Sequence, residues 1–354
     1  MDYKQVEKRM NDEIDRLSNL PDDLIHKILS FVGIKCAIET SALSSRWRFI
    51  WTSMPYLDFL VEDFSTPPKL SQFVTQVLSR RNNLVEVFSI KLRFRGYFSQ
   101  EFVKQLLNYA FSHNIRQLDI TWLYEKGIDY PLSLICSRSL THLSLRKKYV
   151  YRIGKGYGFT STSTLKLPLL TSLYLEDIIF CCDDDSDKCV GIFSECVNLK
   201  ILTLKGCKVT GFSHLNICLP LLSNLTLADV HGKLNSVNLS LSFAPFYYSL
   251  EKVELCVTHS IVSAHKMVCL FQQLQRVKYL TLNMEILEFL SSSVELISNQ
   301  PSPFANLKSL HIYPIKDLSE VRNDVKMSSE VKNYLLENSP SATFTMVSRE
   351  VFTS

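Results

Sequence analysis

Leu199-Lys-Ile-Leu202-Thr-Leu204 sets an apolar residue, two others, an apolar residue, one other and a final apolar residue. The same phrase occurs as Val87-Phe-Ser-Ile90-Lys-Leu92, Ile115-Arg-Gln-Leu118-Asp-Ile120, Leu140-Thr-His-Leu143-Ser-Leu145 and Leu170-Thr-Ser-Leu173-Tyr-Leu175. It returns as Leu222-Ser-Asn-Leu225-Thr-Leu227, Leu250-Glu-Lys-Val253-Glu-Leu255, Val277-Lys-Tyr-Leu280-Thr-Leu282 and Leu307-Lys-Ser-Leu310-His-Ile312. The central apolar positions are 90, 118, 143, 173, 202, 225, 253, 280 and 310, so successive copies lie 23 to 30 residues apart. Alternation of period two sends Leu202 and Leu204 to one side of a strand and Thr203 to the other.

One such strand cannot bury its apolar side alone. Parallel stacking of successive strands joins the leucines into one core, with each return segment covering the far side. Unit length and phrase are those of a leucine-rich repeat, at the long end of its range, where a helical return is expected. The leucines are accounted for by packing, so binding chemistry falls to the residues between them. Candidates on that face are Arg93, Asp119, Thr121, Arg146, Tyr174, Glu176, Lys205, Glu254, Asn283 and Tyr313. They mix charge, hydroxyl and aromatic groups, which suits a protein partner and names no ligand.

Upstream of the first phrase, Asp15-Arg-Leu-Ser-Asn-Leu20-Pro21-Asp22-Asp23-Leu24-Ile25-His-Lys-Ile28-Leu29-Ser-Phe31 opens a helix. Pro21 suits a first helical position and the two aspartates suit the positive end of the helix dipole. Leu24, Ile25, Ile28, Leu29 and Val32 form an apolar stripe at helical spacing, and Gly33 can end it. A second helix is expected over 35–43 and a third over 45–54, carrying Trp47, Ile50 and Trp51. Three short helices make a very small core, so part of this apolar surface is expected to meet a partner.

Asp15 to Phe59 resembles the F-box family in its plant form, through DRLSNLPDDLIHKILSFV followed by ETSALSSRWRFIWTSMPYLDF. The Leu-Pro opening, the Ile-Leu-Ser-Phe close of the first helix and Ser-x-Arg-Trp-Arg-x-x-Trp carry the likeness. Where relatives commonly read Leu-Pro-x-Lys-Asp-Ala, this chain has Val32-Gly33-Ile34-Lys35-Cys36-Ala37. The resemblance implies a substrate-recognition adapter of a Skp–cullin–F-box ubiquitin ligase, reaching a cullin–RING ligase through a Skp-type adaptor, with an unidentified target protein on the repeats. Adaptor-facing positions carried over are Leu20, Pro21, Leu24, Ile28, Leu43, Ser44, Arg46, Trp47 and Trp51. The alternative is a repeat scaffold or inhibitor not engaged with a ligase.

The expected fold class is an α/β repeat: a small three-helix F-box module, then a leucine-rich-repeat solenoid with a parallel strand per repeat. The organisation is a tail (1–14), the F-box (15–60), a linker and capping helix (61–85), the repeats (86–316) and a carboxy-terminal cap (317–354). Within 61–85, residues 61–69 with Pro67-Pro68 read as linker, and Ser71 begins an amphipathic helix bearing Phe73, Val74, Val77 and Leu78. Ser99 precedes a return helix bearing Phe102, Val103, Leu106, Leu107 and Ala110. In the cap, 329–340 reads as a helix and 343–347 as a closing strand, weakly similar to the FBD of plant F-box repeat proteins.

Composition narrows the function classes. The chain of 354 residues is 46% hydrophobic and 21% charged, as folded proteins are. A net charge of +4 gives no reason to expect nucleic acid. The first twenty residues mix charge signs without an apolar run, unlike a signal peptide, and nothing approaches the roughly 18 apolar residues of a membrane span. Ten cysteines in such a chain imply reduced thiols in the nucleus or cytoplasm. Cys181, Cys182, Cys189 and Cys196 near Asp183–Asp187 lack paired zinc spacing and a calcium loop's glycine and distant glutamate, so no metal or other cofactor is expected. Basic Arg146–Arg152, with interleaved tyrosines, could grip an acidic segment. Gly154–Gly158 lacks the helix and Lys-Ser/Thr of a phosphate loop. His26, His113 and His265 have no matching nucleophile. No catalytic residue is assigned, and the chain is read as not an enzyme.

Overall fold

A computed structural model describes residues 19–96, 99–124, 136–149, 160–161, 165–181, 191–210, 216–217, 219–229, 231–232, 242–243, 249–257, 264–313 and 327–346. The chain divides into two compact units, one holding residues 1–126, 139–144 and 148–154, the other 127–138, 145–147 and 155–354. The acidic run at 183–187 and the glycines at 154–158 lie outside the described residues, as do Val150, Tyr151 and Arg152.

In the first unit, α1 (Asp22–Leu29), α2 (Gly33–Glu39) and α3 (Trp47–Ile50) form the helical module. Pro21 stands at the N-cap of α1, one residue ahead of the expected position. The apolar stripe of α1 is wider than one core can take. Ile25 and Leu29 turn inward, while Leu24 and Ile28 stay exposed. Gly33 opens α2 instead of merely closing α1: its φ of +79° is a left-handed value that a side chain would strain. A 3₁₀ turn over Thr40–Ala42 follows α2, and another over Trp51–Ser53 follows α3.

Strand β1 (Tyr56–Leu60) then pairs in parallel with β2 (Ser89–Arg95), and β2 with β3 (Gln117–Tyr124). The register sets Leu57 against Ile90 and Ile90 against Leu118, so matching positions of successive phrases are sheet neighbours. Helix α4 (Pro67–Arg80) starts four residues before Ser71, because Pro67 and Pro68 occupy its first turn, where a missing N–H costs nothing. Helix α5 (Gln100–Ser112) begins on Ser99, whose side chain accepts from the Phe102 N–H. Leu70, Val74 and Val77 of α4 and Val103, Leu106 and Ala110 of α5 are buried. Strand β4 (His142–Tyr149) follows, with the Thr141 and His142 N–H groups donating to Arg116 O.

The second unit repeats one pattern with greater regularity. Strands β5 (Ser172–Glu176), β6 (Ile201–Lys205), β7 (Asn224–Ala228), β8 (Lys252–Cys256), β9 (Tyr279–Asn283), β10 (Ser309–Tyr313) and β11 (Thr343–Met346) stand side by side in that order, all parallel. Leu173, Leu202, Leu225, Val253, Leu280, Leu310 and Phe344 align across the sheet. The first six are buried, each contributing on the order of 1.5–3 kcal/mol.

Side chains tie neighbouring copies together just before β6, β8, β10 and β11. Asn198 donates to Pro168 O at 2.8 Å, Ser249 to Pro220 O at 2.9 Å, Asn306 to Gln275 O at 3.3 Å and Asn338 to Ser302 O at 2.6 Å. Just after the strands, Asp177, Gly206 and Asp229 share a left-handed backbone with φ of 57°, 59° and 51°. Each donates its N–H to the end of the next strand, at Lys205 O, Ala228 O and Cys256 O.

The return segments depart from expectation. Helices α6 (Ala264–Gln273), α7 (Met284–Ser291) and α8 (Val294–Ser298) serve the later copies. Between β5 and β8 the described returns instead hold short parallel strands, with Ile179 beside Lys208 and Lys208 beside His231. Extended returns shorten the path, as the 23 residues between positions 202 and 225 require. Further on, α9 (Ser329–Leu336) buries Val331, Tyr334 and Leu335, and β11 pairs with β10 as the last described strand. No helix among the described residues is long and apolar enough to cross a membrane.

Candidate functional site

The helical module presents an apolar patch. Leu24 and Ile28 are 51% and 41% exposed on α1, and Phe31, seven residues after Leu24, is 78% exposed. Positions i, i+4 and i+7 share one helical face, so these three form a continuous stripe. Val32, Leu43 and Phe49 add further exposed apolar side chains. Large apolar groups gathered this way on a small module mark a contact surface.

Hydrogen bonds hold that patch in shape. Arg46 Nη2 donates to Leu20 O at 2.5 Å and to Asp22 Oδ1 at 2.6 Å, clipping the segment before α3 to the start of α1. Ser44 Oγ accepts from the Trp47 N–H at 3.3 Å, the bond expected at a helix start. Buried His26 places Nε2 3.1 Å from Ile50 O and 3.2 Å from Ser53 Oγ, joining α1 to α3. Lys27 lies over the rings of Phe31 and Tyr56, at 5.3 and 5.9 Å from their centroids.

The nine adaptor-facing candidates therefore separate by role. Pro21, Leu24, Ile28 and Leu43 are exposed, while Leu20, Ser44 and Trp51 are half-buried. Arg46 is exposed but works as the clip between helices. Trp47, 5% exposed, is a correction: its ring is packed inside the module and supports the patch from beneath. Phe31, Val32 and Phe49 were not among the adaptor-facing positions carried over from the sequence. Helical phase could have found them, since Ile25, Leu29, Trp47 and Ile50 fill the inward positions and leave these outward.

An F-box domain model matches residues 17–59, the stretch that builds this patch. Residues 17–59 of the chain therefore carry an F-box domain. Similar proteins from Arabidopsis thaliana include a putative F-box/FBD/LRR-repeat protein, 32% identical over 170 residues, which are 47% of this chain and 33% of the relative. A putative F-box/LRR-repeat protein is 27% identical over 238 residues, 65% of this chain and 53% of the relative. A further F-box/LRR-repeat protein is 26% identical over 223 residues, 60% of this chain and 58% of the relative. The chain thus spans between a third and somewhat over half of the length of these relatives.

The second candidate surface is the polar side of the strands. In the first unit, Asp58, Lys91 and Asp119 lie in one cross-strand row, and Arg93 approaches Glu62 at 3.6 Å. Burial raises the Asp58 carboxyl above its usual range, against the pull of Lys91 and Arg93. Thr121 is buried, a correction to its placing on the open face, and its hydroxyl donates to Asp119 Oδ1 at 3.4 Å.

In the second unit, Arg146 Cζ and Lys205 Nζ lie 4.7 and 5.8 Å from the centroid of the Tyr174 ring. The Tyr174 hydroxyl donates to Glu176 Oε2 at 3.1 Å, and burial, aided by that carboxylate, pushes its pKa up to about 12. Further along, Glu254 accepts from Thr226 at 3.4 Å and from Tyr313 at 3.5 Å. Burial likewise raises the Tyr313 hydroxyl. Asn283 is the second correction on this face. It is fully buried, donating to Val257 O at 2.7 Å and to Glu285, and accepting from the Val257 N–H. Its amide fastens the chain after β8 and cannot meet a ligand.

Proposed function

We propose that this chain is the substrate-recognition adapter of a Skp–cullin–F-box ubiquitin ligase, its parallel strands forming a leucine-rich-repeat solenoid. The observation that carries the reading is the exposed stripe of Leu24, Ile28 and Phe31, with Leu43 and Phe49, on a module whose sequence matches the F-box. A Skp-type adaptor is the partner such a module implies. Bringing these side chains out of water supplies the non-directional part of that affinity, and the clip through Arg46 presents them already arranged. The repeat relatives support a recognition role for the sheet, with Arg93, Asp119, Arg146, Tyr174, Glu176, Lys205, Glu254 and Tyr313 as its reading face. In this reading the chain makes and breaks no bond itself, and acts inside the nucleus or cytoplasm.

The test is co-precipitation of a purified plant Skp-type adaptor with wild type and with Leu24→Asp combined with Leu43→Asp. Both positions are exposed, so the double variant should keep the wild-type circular dichroism spectrum and melting temperature. Adaptor retention is expected to fall at least tenfold, since charge placed in an apolar contact is desolvated without a partner. Equal retention by the two proteins, or none by either, defeats the ligase reading.

A further inference from the structure

The F-box match ends at residue 59, but the surface of the helical module is completed by a later segment. Residues 82–88, after α4, return to the module before β2 begins. The Asn82 N–H donates to Thr52 O at 3.0 Å, and the Phe88 and Ser89 N–H groups donate to Pro55 O at 2.8 and 3.1 Å. Both ends of the segment are thus fastened to the stretch just after α3. Thr52 Oγ1 in turn donates to Phe49 O at 2.7 Å, and Phe49 is one of the exposed apolar residues of the patch. Between the anchors, Asn82 Oδ1 accepts from the Leu84 N–H at 3.0 Å, and Asn82 O accepts from the Val85 N–H at 3.1 Å. This side-chain turn holds Leu84 93% exposed, the most exposed large apolar side chain among the described residues.

The other end of the segment joins the stripe on α1. Phe88 is 37% exposed, and its ring meets the Tyr56 ring edge-on at 5.6 Å. Lys27 Nζ bridges the rings of Tyr56 and Phe31. Phe31, Lys27, Tyr56 and Phe88 therefore make one line of contacts from α1 to the start of the sheet. A leucine held in water on a hydrogen-bonded turn adds nothing to the core, whereas contiguous large apolar groups mark a contact site. We propose that the adaptor contact extends past the F-box onto this returning segment, with Phe88 and Leu84 as further binding residues. This extension rests on the adapter reading above. Its occupant is the Skp-type adaptor because the segment continues the patch that the F-box residues build and is tied to it by backbone bonds. Those ties fix both side chains before the partner arrives, which lowers the ordering cost of association. Residues 60–81 separate the segment from the matched stretch, so only the fold brings the two together.

The test uses the full chain and a purified plant Skp-type adaptor, with affinity read by surface plasmon resonance. Leu84→Asp should weaken binding about fivefold or more and leave the melting temperature unchanged, since the side chain lies almost wholly in water. Phe88→Asp should weaken binding at least as much. Leu221→Asp, at a leucine 44% exposed in the second unit, should bind as wild type. Full chain with p-benzoylphenylalanine in place of Leu84 should cross-link to the adaptor under ultraviolet light. Should Phe88→Asp melt far below wild type, Leu84→Asp and the cross-link decide. If Leu24→Asp with Leu43→Asp loses the adaptor while Leu84→Asp or a folded Phe88→Asp keeps wild-type affinity, the extension is overturned and the adapter reading stands. Absence of the cross-link, or equal weakening by Leu221→Asp, overturns the extension as well. No adaptor binding by wild type defeats both.

Discussion

Cys207 shows how far a side chain in this fold can be moved from its solution chemistry. Its thiol is fully buried, and Sγ lies 3.5 Å from both Leu175 O and Lys205 O, to which it donates. Burial pushes its pKa up to about 12, and that of Cys196 to about 11, from an ordinary thiol value near 9. The unfolded chain therefore gives up these protons first. Their contribution to stability is whole below about pH 9 and is lost as pH rises toward the folded values, by at most about 1.4 kcal/mol per pH unit for each thiol. Between pH 8.5 and 10.5 the urea midpoint of wild type should fall more steeply than that of Cys207→Ala. Parallel profiles would show that the thiol already ionises inside the fold. The same burial explains why this cysteine offers no nucleophile or metal ligand, since both uses need the thiolate.

At the scale of the element, the repeated turn after β5, β6 and β7 matters more than any one leucine. Asp177, Gly206 and Asp229 hold equivalent left-handed positions, and Gly206 has the least room: a Cβ there would fall 2.2 Å from Asp177 Oδ1. Gly206→Ala should destabilise the second unit by about 1–3 kcal/mol through backbone strain alone, before the Asp177 carboxylate moves aside. Asp229→Gly should be neutral or slightly stabilising, for it relaxes the same strain. Chemical unfolding followed by circular dichroism decides the matter, and two equal midpoints would remove the turn from the account. The strands themselves were legible because the central residue of each phrase is the register residue, as with Leu202 beside Leu225. One further copy, Met54-Pro-Tyr-Leu57-Asp-Phe59, also fits the phrase and pairs Leu57 with Ile90, yet was absorbed into the helical module. The short return strands left no comparable mark, since two- and three-residue strands are too short to display a period. The site was less legible than the fold. An apolar residue on α1 reads alike whether it faces inward, as Ile25 does, or outward, as Leu24 does, and only packing against α2 and α3 separates them. Asn283 was lost for the opposite reason, because alternation places it on the open face while its amide turns back to the Val257 backbone.

For the molecule as a whole, stacking parallel strands solves the core and leaves the problem of ending it. A terminal strand exposes a row of unpaired backbone groups, and repeat arrays depend on a last unit that closes the apolar side. Among the described residues, α9 and β11 follow the last repeated phrase and cover the apolar side of its copies. Ser339 donates to Phe304 O at 2.7 Å and accepts from the Leu307 N–H at 3.0 Å, while β11 pairs along β10 from Ser309 to Ile312. Val331, Tyr334 and Leu335 fill the space beside α7 and α8. The cap is thus continuous with the core of the last copies, and a chain ending at residue 326 would leave Leu310 and Ile312 beside an open edge. Such a truncation should lose cooperative unfolding of the second unit and elute from a sizing column as soluble aggregate, whereas Ser339→Ala should remain monomeric with stability reduced by about 1–3 kcal/mol, the cost of leaving a buried amide and carbonyl unpaired. A truncated chain that stays monomeric and melts like wild type would mean that β10 can end the sheet unaided, and that α9 and β11 are ornament to the fold.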